Sequence, residues 1–169
     1  AYTAISSLPI EKRKKGVIAY SSGNHAQGVA LAAKIHEIPA TIIMPEDAPE
    51  IKINNTRDLG AEVILYDRLK ERREEIGQKI SEENLLSLIP PYDHIHVIAG
   101  QGTIGLEIAD QANQNGIEKA DVLVCCGGGG LTSGIAVALS SLMPNFITRP
   151  VEPEGFDDVI RSLKTGQRQ

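Results

Sequence analysis

The sequence predicts an α/β protein in which parallel strands are covered on both faces by helices. Short apolar segments alternate along the chain with predicted helices of about 10 to 17 residues, which is the pattern of a parallel sheet. Only 4% of the residues are aromatic and none is Trp, so the core has to be built from Ile, Leu, Val and Ala. A content of 41% hydrophobic and 23% charged residues is typical of a soluble globular protein.

The elements of the first half are predicted from apolar periodicity and from the Gly and Pro residues that end them. We expect a helical tail over 1–8, a solvated charged turn over 9–15, strands over 17–20, 40–44, 62–66 and 85–89, and helices after the polar segment 21–28, over 48–59 and over 68–84. Gly60 is suited to end the helix over 48–59, because it adopts a left-handed conformation without strain.

The second half begins with an irregular connection over 92–97, where we expect the boundary between two lobes. It continues with a helix over 99–115, a buried strand over 122–126, a helix from Leu131 to about Met143, a strand over 146–151 and a last helix over 156–163. Strands and helices therefore alternate throughout, without an internal repeat.

Four consecutive glycines, Gly127 to Gly130, separate the buried strand from the helix at Leu131. Without Cβ atoms they can turn several N–H groups into one concavity, to which the helix adds its unpaired first-turn amides and positive dipole end. Such a loop binds a phosphate without a cationic side chain. A flexible linker is the alternative, but the apolar flanks favour an anion site. The spacing matches neither a Rossmann fingerprint nor a P-loop.

A polar segment, SSGNHAQG, follows the first strand at a junction where α/β proteins often bind ligands. Ser22 and Asn24 can cap the following helix, and this role is compatible with ligand binding at the same helix end. His25 is either a base or, as is more usual for a single His at a helix start, a local hydrogen-bonding group. Gln101 belongs to a third polar segment, which is expected to open a helix and is uninformative alone.

The charge and cysteine content exclude several classes of function. A net charge of −5 and a pI near 5.4, without a basic stripe, argue against binding to nucleic acid. No apolar run approaches the roughly 18 residues that a membrane span requires, and no signal-peptide segment is expected. Cys125 and Cys126 are adjacent, which suits a reducing cytoplasm better than a disulfide framework.

Six motifs follow each other along the chain: SSGNHAQGVA, IIMPEDAP, GAEVILYD, VIAGQGTIGLEI, CCGGGGLTSGIA and VEPEGFDD. This ordered set resembles the serine/threonine dehydratases and the related serine racemases, which are fold-type II pyridoxal-phosphate enzymes. The resemblance implies a two-lobed architecture with parallel sheets flanked by helices and an incomplete second lobe. It divides the chain into a tail of the large domain and linker over 1–15, a small open α/β domain over 16–93, and part of the large cofactor-binding domain over 94–169.

The resemblance also assigns site residues. Gly127, Gly128, Gly129 and Gly130, with Leu131, would bind the phosphate of pyridoxal 5′-phosphate. Asn24 would hydrogen-bond the O3′ atom of its ring. The pocket for the substrate carboxylate would be lined by Ser22, Gly23, His25 and Gln101. In the racemases, the serine that matches Ser22 is also an acid/base.

A divalent cation site is implied near the end of the chain. Glu152, the backbone carbonyl of Phe156, and Asp158 match a site of the racemases, and such oxygen ligands suit Mg²⁺ or Ca²⁺. The alternative is a pair of acidic residues in a capped turn.

The chain also departs from the family pattern. The Schiff-base lysine of the family lies in an S-F-K-x-R-G-A segment, and Ala1 matches the closing Ala, so we expect that lysine to be absent. Lys12, Lys14 and Lys15 lie in no suitable context to replace it. The strand whose Ser, Thr or Cys contacts the pyridine nitrogen is expected beyond Gln169. A fragment truncated at both ends and inactive alone is therefore expected.

The function implied is dehydration and deamination of L-serine or L-threonine to a 2-oxo acid and ammonia. A non-catalytic remnant that binds phosphate or an amino acid, and a fragment of a serine racemase-like enzyme, are the alternatives. The expected partner is a small amino acid, with no nucleic acid and no membrane, and the complete protein is expected to be a cytoplasmic homo-oligomer.

Overall fold

The computed structural model describes all residues, 1–169, with eight helices and six strands. The chain divides into two compact units, Ala1–Pro91 and Tyr92–Gln169, which we call the first and second units. Every strand pairs in parallel, so the predicted α/β class with parallel sheets flanked by helices is confirmed. None of the helices combines the length and the apolar character that crossing a bilayer requires.

The first unit is a four-stranded sheet with five helices. Its elements are α1 (Tyr2–Ser6), α2 (Ile10–Lys15), β1 (Val17–Tyr20), α3 (Asn24–Ile35), β2 (Ala40–Pro45), α4 (Glu50–Asp58), β3 (Glu62–Tyr66), α5 (Arg73–Asn84) and β4 (Ser87–Leu88). The strand order is β3-β2-β1-β4. Because all four strands are parallel, the loop that follows β1 lies at the carboxyl edge of the sheet, between the ends of β2 and β4.

The core of the first unit lies on both faces of this sheet. Ile18 and Ile43 pack with Ile76 and Ile80 of α5. The alternate residues of β1 and β2 face the opposite side, where α3 contacts both strands. Burial on two faces explains why β1 and β2 are apolar almost without interruption.

The second unit has a two-stranded sheet and three helices. Its elements are α6 (Ile95–Gln114), β5 (Ala120–Cys125), α7 (Gly130–Leu142), β6 (Phe146–Val151) and α8 (Asp158–Thr165). Val124 and Phe146 of the sheet pack with Ala109 of α6 and with Ile135 and Leu139 of α7.

The prediction that the strand before the glycines is buried is wrong. Leu123 is 71% exposed, Cys125 is exposed, and Val151 of the neighbouring strand is 47% exposed. These side chains share the face of the β5–β6 sheet that no helix covers, whereas only the opposite face carries the core.

One predicted turn, and part of one predicted connection, are helical in the structure. Residues 9–15 are not a solvated turn, because α2 forms there between Pro9 and Gly16, with four basic residues in its last turn, where they complement the helix dipole. The irregular connection over 92–97 is also shorter than predicted, because α6 begins at Ile95. Gln101 therefore lies inside α6 and does not open a helix.

Other boundaries also differ from the predicted ones, in one case because a side-chain hydrogen bond defines the start of the helix. Helix α5 starts at Arg73 instead of residue 68, since the Asp67 carboxylate accepts the Leu69 amide at 2.9 Å and holds a turn. Strand β4 is only two residues long, helix α4 starts at Glu50, and α8 runs from Asp158 to Thr165 instead of 156–163.

Residues 1–15 pack with the first unit, because α1 lies against α3 and buries Ala4 and Ile5. The assignment of these residues to the large domain of a complete protein stays a prediction.

Candidate active site

The four glycines form a tight turn between β5 and α7, which we call the glycine loop (residues 127–130). Gly129 is the N-cap of α7 and has a φ of 80°, a left-handed conformation that favours Gly. The backbone amides of residues 127–132 donate to no acceptor in the chain, and the first bond of the helix runs from the Ser133 amide to the Gly129 carbonyl at 2.9 Å. Six amides are thus left for a ligand, at the positive end of a helix of 13 residues.

The space around the loop is open on one side. A Cβ atom on Gly127 or Gly129 would meet nothing within 4 Å. A cavity of about 540 Å³ adjoins Gly127, Gly128 and Gly129 and is also lined by Thr132 and Arg168. Asp93 pairs with Arg168 at 2.8 Å and raises the pKa of that guanidinium.

A buried hydroxyl with no partner lies at the same helix end. Oγ1 of Thr132 is buried and makes no hydrogen bond in the chain. Buried polar groups are almost always paired, so an unpaired hydroxyl beside unpaired amides is what a bound oxyanion would satisfy. The residues present therefore fit a phosphate.

The second set of candidate residues lies on the loop after β1, which we call the polar loop (residues 21–25). Ser22 and Asn24 do not cap α3, contrary to prediction. Gly23 is the N-cap and, having no side chain, makes no side-chain cap bond. The Ser21 hydroxyl accepts the Gly23 amide at 3.2 Å within the loop. The Ser22 and Asn24 side chains are exposed and make no hydrogen bond in the chain, so both are free for a ligand.

The amides of Asn24, His25 and Ala26 also donate to no acceptor in the chain. They open α3, a helix of 12 residues, and so present unpaired donors at a positive helix end. This group of donors suits a carboxylate.

Lys52 of α4 lies directly against the polar loop. A Cβ atom on Gly23 would be 2.7 Å from the Lys52 Nζ and 2.9 Å from its Cδ, so the lysine side chain lies in direct contact with the loop backbone. The ammonium group takes part in no ion pair or hydrogen bond of the chain and is partly buried. An ammonium without a counter-charge, beside free amides, raises the local affinity for anions.

His25 has a structural contact that accounts for its position. Its Nε2 lies 3.0 Å from the carbonyl oxygen of Ile89, to which it donates, and this bond ties the start of α3 to the segment after β4. Burial lowers the pKa of His25 below its ordinary value, against the smaller opposing effect of the Ile89 bond. The neutral ring is therefore favoured, which fits the hydrogen-bonding alternative better than general base catalysis.

The implied cation ligands already have contacts in the chain. The two carboxylate oxygens of Glu152 each accept an amide of α8, from Val159 and from Ile160, at 2.9 Å. Phe156 is exposed, and Asp158 is the first residue of α8. No cluster of three or more His, Cys, Asp or Glu residues is present. The contacts are those of a capped turn, and ligation of Mg²⁺ or Ca²⁺ stays a prediction.

Comparison with known proteins decides the family. A sequence model described as "Pyridoxal-phosphate dependent enzyme" matches residues 1–169. The chain belongs to this family. Its cofactor is pyridoxal phosphate, in agreement with the phosphate-binding features of the glycine loop.

Individual relatives fall into two activity classes. The chain is 50% identical over 167 residues to L-threo-3-hydroxyaspartate ammonia-lyase of Saccharomyces cerevisiae, covering 98% of this chain and 50% of the relative. It is 49% identical to serine racemase of Schizosaccharomyces pombe, with the same coverage. The processed threonine deaminase isoform 2 of Solanum lycopersicum superposes with a TM-score of 0.90 at 41% identity, over 99% of this chain and 48% of that one.

The chain spans about half the length of the curated relatives it matches. Two residues, one beside the polar loop and one beside the glycine loop, cannot be found from the sequence pattern. Lys52 and Tyr92 contact glycines that are distant in the sequence, so local pattern alone does not reveal them.

Proposed function

We propose that this chain forms part of a pyridoxal-phosphate-dependent ammonia-lyase that acts on a β-hydroxy amino acid such as serine or threonine. The observation that carries the proposal is the row of six unpaired amides at the glycine loop, beside the unpaired Thr132 hydroxyl. The names of the relatives support an amino-acid substrate, because they include a hydroxyaspartate and a threonine ammonia-lyase.

The roles of the residues follow from their contacts. The glycine loop, Leu131 and Thr132 hold the phosphate by hydrogen bonds and helix dipole. Asn24, whose side-chain amide is free, bonds the O3′ atom. The amides that follow Gly23 bind the substrate carboxylate, and the Lys52 ammonium adds a full positive charge to the partial charge of the helix end.

When bound, pyridoxal phosphate withdraws electrons from the substrate Cα and so makes loss of its proton easier. The residues of this chain orient the substrate for that step. His25 keeps the polar loop in place through Ile89 and does not need to carry the proton itself. Gln101, on α6, is proposed as a further contact for the carboxylate.

No lysine of this chain is assigned the covalent or basic role of the family lysine. Lys12, Lys14 and Lys15 are exposed on α2. We therefore expect the 169-residue chain to bind the cofactor without turnover.

The experiment is to purify the chain, add pyridoxal phosphate, and measure 2-oxo acid formation from L-serine, L-threonine and L-threo-3-hydroxyaspartate. We expect none. Clear turnover that persists through purification and is absent from a mock preparation would refute the claim that no lysine of this chain takes the catalytic role. A whole protein that contains this chain and the S-F-K-x-R-G-A segment should form oxo acid, and failure there would refute the proposed activity.

A racemase is the second candidate, because Ser22 is exposed and makes no hydrogen bond that would occupy its hydroxyl. Racemisation of L-serine by the whole protein, lost in Ser22→Ala while deamination remains, would favour it. Cofactor binding without catalysis, in both the 169-residue chain and the whole protein, would favour a non-catalytic remnant.

We further propose a cytoplasmic homo-oligomer. Both cysteines are free thiols, which suits that compartment, although one relative is named as mitochondrial.

A further inference from the structure

The glycine loop has a closed side as well as an open one, and Tyr92 forms the closed side. A Cβ atom on Gly128 would lie 2.7 Å from Cε1 of the Tyr92 ring and closer still to Cγ and Cδ1. A Cβ atom on Gly130 would lie 3.3 Å from the Tyr92 Cβ. Real Cβ atoms do not approach ring carbons so closely, so the loop and the ring are in direct van der Waals contact.

The two other glycines differ in this respect. A Cβ atom on Gly127 or on Gly129 would have no neighbour within 4 Å, because both residues face the open side. Glycine is therefore required at positions 128 and 129 for different reasons. At 128 the ring of Tyr92 excludes a side chain, whereas at 129 the φ of 80° disfavours one.

Tyr92 and the glycine loop precede two helices that pack against each other. Tyr92 lies three residues before α6, and the glycine loop leads directly into α7. These helices pack so closely that a Cβ atom on Gly105 of α6 would lie 2.7 Å from the Cβ of Ala138 in α7. The ring and the loop are therefore attached to two helices that are closely packed against each other.

We propose that Tyr92 is a positioning residue for cofactor binding: its ring supports the glycine loop so that the amides of residues 127–132 converge on one phosphate. The inference rests on the proposed phosphate site. The contact uses the ring face and edge, not the hydroxyl, so Phe is expected to replace Tyr.

The test uses the 169-residue chain and pyridoxine 5′-phosphate, which carries the phosphate but no aldehyde and so forms no bond with surface lysines. Amide chemical shifts of the glycine loop are followed by NMR during titration, with phosphate-free pyridoxine as the ligand control. We expect saturable shifts only with the phosphate ester. Tyr92→Phe should keep the affinity, and Tyr92→Ala should lower it about tenfold, the effect of losing one hydrogen bond to a charged group. Melting temperatures measured alongside show that each variant is folded.

A reciprocal size exchange tests the contact itself. Gly128→Ala should weaken binding, and combining it with Tyr92→Ala should restore part of the affinity, because the methyl group enters the space that the ring leaves. Gly129→Ala is the matched control, since its strain is in the backbone and Tyr92→Ala should not relieve it. Such non-additivity is the signature of direct contact.

The outcomes separate the two hypotheses. Tyr92→Ala that binds as well as the original chain, or an exchange without any rescue, overturns the role of Tyr92 and leaves the phosphate site intact. An original chain whose loop amides do not respond to pyridoxine 5′-phosphate overturns the phosphate site and the inference together.

Discussion

Gly134 of α7 lies at the closest approach of α6 and α7, the two helices that position the glycine loop. A Cβ atom there would be 2.7 Å from the Gly102 nitrogen and 3.0 Å from the carbonyl carbon of Gln101, and closer still to the Ile98 oxygen. All three are backbone atoms, which cannot move aside as a flexible side chain can. Gly134→Ala should therefore push the helices apart.

The magnitude follows from two opposing effects. Overpacking costs typically about 1–3 kcal/mol, and contact with backbone atoms places this site at the upper end. Ala gains about 1 kcal/mol over Gly in a helix interior. The expected net loss is about 2 kcal/mol in the free energy of unfolding of the second unit.

Gly28→Ala in α3 is the matched control, because its Cβ would meet only the Ala1 Cβ at an ordinary 3.8 Å. It should stabilise the first unit by about 0.5–1 kcal/mol. Urea unfolding followed by NMR signals of α7 and of α3 measures each unit separately. If Gly134→Ala is neutral or stabilising, the close packing of α6 on α7 is refuted, and with it the rigid support of the glycine loop.

Three further predictions concern single side chains. Lys52→Met should weaken the binding of malonate at the polar loop about tenfold at low salt, as measured by NMR titration. Lys79→Met, on the exposed face of α5, should not weaken it. Equal effects of the two variants would contradict a local role for Lys52. Burial lowers the pKa of His25 in the folded state, so the unfolded state binds more protons below pH 6.5 and the free energy of unfolding should fall as the pH drops through that value. His25→Gln should flatten this pH dependence. An unchanged slope would exclude His25 as its source. Glu152→Gln leaves one α8 amide unpaired and should lower the free energy of unfolding by about 1 kcal/mol, whereas the exposed Glu154→Gln should not change it. The measurement is helix content during urea unfolding. Equal stability of the two variants would rule out the cap.

Much of the fold follows from the sequence because strands β1 and β2 of the first unit are buried on both faces. Strands β1 and β3 match the predicted bounds, because Gly16 or Gly60 precedes each short, largely apolar run and a polar residue follows it. Strand β4 could not be predicted as a two-residue strand, because its length depends on its pairing with β1 and not on its own residues.

Other differences come from interactions that the apolar pattern does not encode. The start of α5 depends on a turn held by the Asp67 carboxylate, and α2 is a short helix with no buried residue to give it a period. The exposure of Leu123 depends on how many layers cover the β5–β6 sheet, which its residue type does not indicate.

The glycine loop could be predicted because its mechanism is local: a strand, a run without Cβ atoms and a helix follow each other directly. The polar loop is predicted less completely. Capping by Ser22 and Asn24 is a fair expectation from residue type, yet Gly23 occupies the N-cap position and leaves both side chains free. The contribution of Lys52 comes from another helix and needs the tertiary structure.

The most direct measurement of the central claim is a crystal structure of the chain with pyridoxine 5′-phosphate bound. We predict phosphate oxygens within hydrogen-bonding distance of the amides of residues 127–132 and of the Thr132 hydroxyl. An ordered phosphate group bound elsewhere, with these amides facing only solvent, would contradict the claim.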